Sequence, residues 1–202
     1  MENEINELPK IIIIGGGFGG IQFSKKLKNQ DVEVLMLDKH NYHTFQPLLY
    51  QVATGGLEPD SIAFPLRKVF KGQSNFTFRV ADAKQIVPAE NKVITDIGEF
   101  EYDALVIATG ADTNFFGNKD LSDRAFPMKS TVEALQLRHR LLHNFEDALT
   151  AKSAAELQSL MTIVIVGGGP TGVELSGAIA DMRKYQLPKD YPELDFGKMK
   201  IY

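Results

Sequence analysis

A chain of 202 residues, 44% hydrophobic and 24% charged, holds enough apolar material for one large core or two small ones, so neither disorder nor a disulfide scaffold is needed. Twenty-two basic against 26 acidic residues leave a net charge of −4, which argues against a nucleic-acid-binding surface. With no cysteine, this stretch has no disulfide, thiolate metal site or thiol nucleophile.

The opening Met1-Glu2-Asn3-Glu4 is acidic and lacks the basic region of a secretory signal. No run approaches the ~18 apolar residues of a membrane span. The expectation is an intracellular, non-spanning segment. Residues 11–14, four isoleucines, predict a parallel strand buried on both faces, running into Gly15-Gly16-Gly17-Phe18-Gly19-Gly20. A helix is expected over 20–28 with Ile21, Phe23 and Leu27 inward, then a strand over 32–37 that ends at Asp38. Residues 39–56 lose periodicity, and this aromatic- and amide-rich stretch is a candidate ligand lining.

Residues 78–87 and 92–97 predict strands around a turn at Pro88-Ala89-Glu90-Asn91, and 104–108 predict a buried strand ending at Thr109-Gly110. Ser130 and Glu133 have the spacing of a capping box, opening a helix whose inner stripe is expected to be Val132, Leu135, Leu142, Phe145 and Leu149. A second apolar run, 163–166, then meets a second glycine cluster, Gly167-Gly168-Gly169-Pro170-Thr171-Gly172. The clusters start 152 residues apart and hold nine of the 17 glycines, so glycine gathers where backbone geometry requires it. Lys200-Ile201-Tyr202 reads as the opening of a further strand, which makes a piece of a longer protein the expectation.

Gly15-x-Gly17-x-x-Gly20 after a strand and before a helix is the pattern that receives a pyrophosphate: a tight turn, close backbone approach, and a helix N-terminus facing the anion. Asp38, 18 residues after Gly20, is placed to accept from ribose hydroxyls. Gly167-x-Gly169-x-x-Gly172 repeats the logic without a matching acid, so NADH and NADPH are not distinguished by it. Glu174 has two readings: a carboxylate favoured by the helix dipole, or one beside the dinucleotide near a flavin. Two such units imply a nicotinamide held face to face with a flavin.

Several other residues keep alternative readings. His139, His143 and Glu146 form either a zinc-spaced set or a wet helix face. His40 and His43 lie near the flavin or form ordinary hydrogen bonds. Lys25, Lys26 and Lys28 read as a solvated face. Gln46 and Gln51 are candidate amides near the isoalloxazine, and Val80 is either an adenine contact through its backbone or core.

The first glycine motif with Asp38, the segment Tyr102-Asp103-Ala104-Leu105-Val106-Ile107-Ala108-Thr109-Gly110 and the second motif with Glu174 resemble the two-dinucleotide-binding-domain flavoproteins, the pyridine nucleotide-disulfide oxidoreductase-like family. Within them, His43-Thr44-Phe45-Gln46-Pro47-Leu48-Leu49-Tyr50-Gln51, Gly168 to Ala178 and Leu187-Pro188-Lys189-Asp190-Tyr191-Pro192 are most similar to type II NADH:quinone oxidoreductases, and the resemblance runs from about residue 10 to 202.

The resemblance implies an α/β, Rossmann-like fold of three-layer ββα character with an incomplete second unit. It implies an FAD-binding domain over 1–115 and the start of an NAD(H)-binding domain over 116–202. FAD would lie against Gly15, Gly16, Gly17, Phe18, Gly19, Gly20, Asp38, Lys39, Gln46, Val80, Thr109 and Gly110. NADH would lie against Gly167, Gly169, Pro170, Thr171, Gly172 and Glu174, with Glu174 in the catalytic role. The family's redox cysteine would fall within 41–51, where there is none, so electrons are expected to leave the flavin directly for a quinone. A peripheral contact with the inner face of the cell membrane through a later region, a homodimer, and an inactive fragment complete the implied picture. Another thiol-free flavin reductase and a non-catalytic nucleotide-binding module are the alternatives.

Overall fold

The structure, a computed structural model, describes residues 7–202, and the acidic opening lies outside the described residues. Contacts divide the chain into two compact units: unit 1 runs up to Thr44 and resumes over Ala63–Asp112, while unit 2 comprises Phe45–Ile62 and Thr113–Tyr202. The segment 45–62, read in the sequence with the first domain, groups with unit 2.

Unit 1 begins with β1 (Lys10–Ile14), α1 (Phe18–Lys26), β2 (Glu33–Asp38) and β3 (Tyr42–Thr44). The chain then enters unit 2, where it forms α2 (Leu49–Ala53), and returns as β4 (Ala63–Pro65), α3 (Leu66–Val69) and β5 (Phe76–Val80). Next come β6 (Ala83–Val87), β7 (Lys92–Thr95), β8 (Gly98–Glu101) and β9 (Ala104–Ile107). Strands β5-β2-β1-β9 form a parallel sheet in that order, and β6-β7-β8 form an antiparallel meander.

Alternation along each strand distributes the apolar side chains between the two faces of the parallel sheet. Ile11, Ile13, Val34, Met36 and Val106 meet Ile21 of α1, Leu27 just past its end, and Leu66 and Val69 of α3. Ile12, Ile14, Leu35, Leu37 and Leu105 meet Ile86, Val93 and Phe100 of the meander. The result is three layers, helix over parallel sheet over meander. Ile12, Ile13 and Ile14 are buried outright, and at about 1.5–3 kcal/mol per side chain they make β1 the axis of the unit.

Three local expectations are corrected here. Phe23 is exposed rather than inward, because Gly20, Ser24 and Leu27 occupy the inner stripe of α1 at helical spacing. The single strand expected over 78–87 is two strands in different sheets: Ala81 N–H still follows β2 by donating to Asp38 O, whereas Asp82 N–H donates to Asp96 Oδ1 and starts the meander. The irregular stretch 39–56 contains β3, paired antiparallel with β4, as well as α2.

Unit 2 continues with α4 (Lys119–Arg124), α5 (Thr131–Leu149), α6 (Ala154–Leu160), β10 (Thr162–Ile163), α7 (Pro170–Asp181), a π-helical turn over Met182–Gln186, α8 (Leu187–Asp190) and β11 (Lys200–Ile201). The capping box that opens α5 is formed in both directions: Glu133 N–H donates to Ser130 Oγ at 3.2 Å, and Ser130 N–H donates to Glu133 Oε2 at 2.9 Å. The buried stripe of α5 is Ala134, Leu141, Phe145 and Ala148, while Val132, Leu135 and Leu149 are exposed. Small alanines carry the close packing here, with Ala134 against Leu49, Val52 and Ile62. The closing residues do form a strand, for β11 pairs parallel with β10 and Ile165 N–H extends the ladder to Tyr202 O at 2.8 Å.

Candidate functional site

In unit 1, β1 has β2 on one side and β9 on the other, so the strand order reverses across β1. The crevice beyond the carboxyl ends of strands at such a switch point is where open α/β sheets receive ligands. Gly15 turns the chain there with φ +109°, and a Cβ on it would stand 2.3 Å from Ala108 O. A Cβ on Gly20 would stand 1.9 Å from Gly15 O, so α1 descends onto the strand only with glycine at that position. Gly17, by contrast, has nothing within 4 Å of where its Cβ would be. The first N–H groups of α1 open onto this space, with the positive end of the helix dipole behind them. This bare turn is a cradle that a Cβ would fill, and its donors suit a diphosphate.

Asp38 ends β2 beside the turn. Its Oδ2 accepts from Gly16 N–H at 2.5 Å and its Oδ1 from His40 N–H at 2.7 Å. Each carboxylate oxygen keeps a further lone pair, so these bonds orient the acid without exhausting it. Val80 stands opposite Asp38 in the β2–β5 register with its side chain half-exposed. Lys39 reaches Asp82 Oδ1 at 3.2 Å. Lys84 first, then Lys39, holds the Asp82 carboxyl below the usual carboxylate range. Thr109 and Gly110 follow β9, and the Thr109 nitrogen is among the atoms nearest to a Cβ built on Gly15. The structure thus gathers Gly15 to Gly20, Asp38, Thr109 and Gly110 around one turn, with Lys39 and Val80 at the adjoining strand ends.

Unit 2 repeats the construction. Gly167 has φ +113°, and a Cβ on Gly172 would stand 2.1 Å from Gly167 O and 3.5 Å from Ile165 Cγ2. The matching distance in unit 1, from Gly20 to Ile13 Cγ2, is 3.4 Å. Gly168 and Gly169 have open space, and Pro170 and Thr171 begin α7, proline occupying the first helical position where no N–H is needed. Glu174 is exposed on the fifth residue of α7, beyond the first turn, where a dipole interaction has largely decayed. The dipole reading of Glu174 therefore loses its basis.

Gln46 lies in unit 2, where its Nε2 donates to Lys129 O at 3.3 Å, and Gln51 Nε2 donates to Tyr50 Oη at 3.0 Å. On α5, His143 Nδ1 faces Asp147 Oδ2 at 3.1 Å and the rings of His139 and His143 stand edge to face at 5.7 Å. Among the described residues no group of three or more His, Asp or Glu side chains is set to hold a metal ion.

Two contributors to the first turn, Leu66 and the Ala108 carbonyl, are absent from the sequence reading, which leaves a third, His43, between a place near the flavin and an ordinary hydrogen bond. Leu66 sits under Gly16, whose Cβ would meet Leu66 Cδ1 at 2.6 Å. The Ala108 carbonyl closes the turn from β9. His43 is buried, with Nδ1 3.2 Å from Gly16 O and its ring edge-to-face with Phe18 at 4.8 Å.

The family model for pyridine nucleotide-disulphide oxidoreductases matches residues 9–188. The chain belongs to the pyridine nucleotide-disulphide oxidoreductase family. Among members of the family, it is 37% identical over 196 residues to type II NADH:quinone oxidoreductase Ndh of Mycobacterium tuberculosis, covering 95% of this chain and 42% of the relative. It is 33% identical to the external alternative NAD(P)H-ubiquinone oxidoreductase B3 of Arabidopsis thaliana mitochondria, covering 91% of this chain and 34% of that one. NDH2 from Plasmodium falciparum in complex with NADH superposes with a TM-score of 0.85 at 28% identity, covering 96% of this chain and 41% of that chain. The chain thus spans less than half the length of these relatives. The Rossmann-like α/β expectation agrees with the family's fold and with the sheet described above.

Proposed function

We propose that this chain forms the FAD-holding part and the opening of the NADH-holding part of a type II NADH:quinone oxidoreductase. The observation that carries this reading is the doubled strand–glycine–helix turn: a Cβ on Gly20 would strike Gly15 O and one on Gly172 would strike Gly167 O, each turn beside an open glycine. The names of the similar proteins supply the acceptor, a quinone.

The chemistry that FAD supplies when bound is acceptance of a hydride from NADH and onward delivery of electrons to a quinone. The chain's residues bind and orient. Gly15, Gly16, Gly17, Phe18, Gly19 and Gly20 direct amide donors at the FAD pyrophosphate. Asp38, held in place by Gly16 and His40 N–H groups, accepts from the adenosine ribose. Lys39 and Val80 border the adenosine end, and Thr109 with Gly110 line the crevice beside β9. Gln46 serves as an amide on the ligand-lining stretch. Gly167, Gly169, Pro170, Thr171 and Gly172 receive the NADH pyrophosphate, and the Glu174 carboxylate takes the catalytic position near the nicotinamide.

No helix among the described residues is long and apolar enough to cross a membrane. Because quinones are lipid-soluble, the reading places the enzyme peripherally on the inner face of the cell membrane. A homodimer belongs to the same reading.

An absorbance spectrum of the purified full-length protein tests the proposal. Flavin bands that bleach on anaerobic NADH and return on adding a quinone are expected. A colourless protein, or bands that NADH leaves unchanged, would overturn it.

A further inference from the structure

Gly16 is gripped through both of its peptide groups, by its N–H and by its carbonyl. On one side Gly16 N–H donates to Asp38 Oδ2 at 2.5 Å. On the other, Gly16 O lies 3.2 Å from Nδ1 of His43, a side chain only 9% exposed. Leu66 closes the floor beneath Gly16. His43 comes from β3, which pairs with β4 through a His43–Phe64 register, so its ring is set by a sheet rather than by the turn itself. Phe18 meets that ring edge-on at 4.8 Å.

A carbonyl oxygen only accepts, so the contact is a hydrogen bond when Nδ1 carries the proton. Among the described residues there is no cis peptide, so the N–H of Gly17 points opposite to the Gly16 C=O. Pinning that carbonyl onto His43 therefore turns the Gly17 N–H away from His43, and the same residue has no atom within 4 Å of where a Cβ would stand. A hydrogen-bonded carbonyl also polarises its own amide, which strengthens the donor on the far side.

We propose that His43 is a positioning residue for the FAD pyrophosphate: as the Nδ1–H tautomer it fixes the Gly16–Gly17 peptide plane so that the Gly17 amide is presented to the cofactor. This rests on the FAD assignment made above. Without the His43 donor, the Gly16 carbonyl is left buried and unpaired, and rotation of the peptide toward water relieves it at the expense of the Gly17 donor.

The test is FAD titration of the full-length apoprotein, followed by quenching of flavin fluorescence, in His43→Leu, His43→Asn and His43→Gln. The Asn amide nitrogen overlies Nδ1, whereas the Gln amide overlies Nε2. His43→Asn is expected to bind FAD within about twofold of the unsubstituted protein, and His43→Leu and His43→Gln about tenfold more weakly, the order of one lost amide donor. Binding by His43→Leu as tight as the unsubstituted protein, or by His43→Asn as weak as His43→Gln, would overturn the proposal. Nitrogen-15 NMR of the unsubstituted apoprotein gives an answer that does not depend on the variants folding: a protonated Nδ1 on a neutral His43 supports it, and protonation at Nε2 instead overturns it. Failure of the unsubstituted protein to bind FAD at all would instead sink the FAD assignment, while the tautomer still reports on the Gly16 contact.

Discussion

At Gly17 the backbone sits at φ −76° and ψ −170°, a conformation open to any residue, and no atom lies within 4 Å of a Cβ built there. An alanine at Gly17 therefore costs the fold little, between a few tenths and about 1 kcal/mol for the poorer N-cap. Its methyl group nevertheless occupies the space in front of the amide donors. Gly17→Ala is expected to leave the melting temperature of the apoprotein within a few degrees and to weaken FAD binding by at least about tenfold. Gly20→Ala differs in kind, because its Cβ would overlap Gly15 O, a backbone atom with nowhere to retreat. That variant should lose about 1–3 kcal/mol of stability or more, and flavin with it. Thermal melts beside FAD titrations separate the two. Wild-type FAD affinity in Gly17→Ala would mean that the open space is not where the pyrophosphate lies.

The elements the sequence announced were those whose neighbours do not matter. β1 and β2 are apolar on both faces, so they read as buried parallel strands whatever packs on them; β9 reads the same way and does join the sheet, but it is not buried as expected, for Ala104 and Ile107 are exposed. The start of α5 was equally plain, because a capping box is local chemistry between Ser130 and Glu133. Ser130→Ala should cost about 1 kcal/mol, which for a chain of this size is about 2–4 °C in melting temperature by calorimetry. No change would show that the first turn of α5 contributes nothing to the global transition. The inner stripe of α5 was misread because Ala134 and Ala148 carry no amphipathic signal, although both are buried. β8 was missed because it is a short partner of β7 made after a tight turn at Gly98, φ +134°. The candidate site follows the same rule. Its glycines and Asp38 were legible because spacing along the chain encodes them. Leu66 and the Ala108 carbonyl were not, and His43 was legible as a candidate but not in its place at Gly16, since all three reach the turn from other elements, α3, the end of β9 and β3.

At the scale of the whole chain, two compact units each carry one glycine turn, which makes their losses separable. Under the proposed assignment, Gly172→Ala should keep the flavin bands and lose their bleaching by NADH, because its Cβ would strike Gly167 O in unit 2 alone. Loss of the flavin instead would refute the division of labour. Global stability offers a second handle through pH. Tyr191 packs with Phe145 and Phe196 in the core of unit 2, and its hydroxyl donates to Glu146 Oε1 at 2.9 Å. Burial first, then that bond to Glu146, pushes its pKa up to about 12, against about 10 for an unfolded tyrosine. A pKa raised by folding means that the unfolded chain releases the proton earlier, so the contribution of Tyr191 is complete below pH ~10 and drains away as pH rises toward 12. Tyr191→Phe removes both the hydrogen bond and the titration, and exposed Glu146 stays hydrated, so the neutral-pH loss should be about 1 kcal/mol. The gap in melting temperature between the unsubstituted protein and Tyr191→Phe should therefore be widest at pH 8 to 9 and close steadily above pH ~10. A gap that stays constant to pH 11 would show that the Tyr191 hydroxyl titrates alike in the folded and unfolded chain.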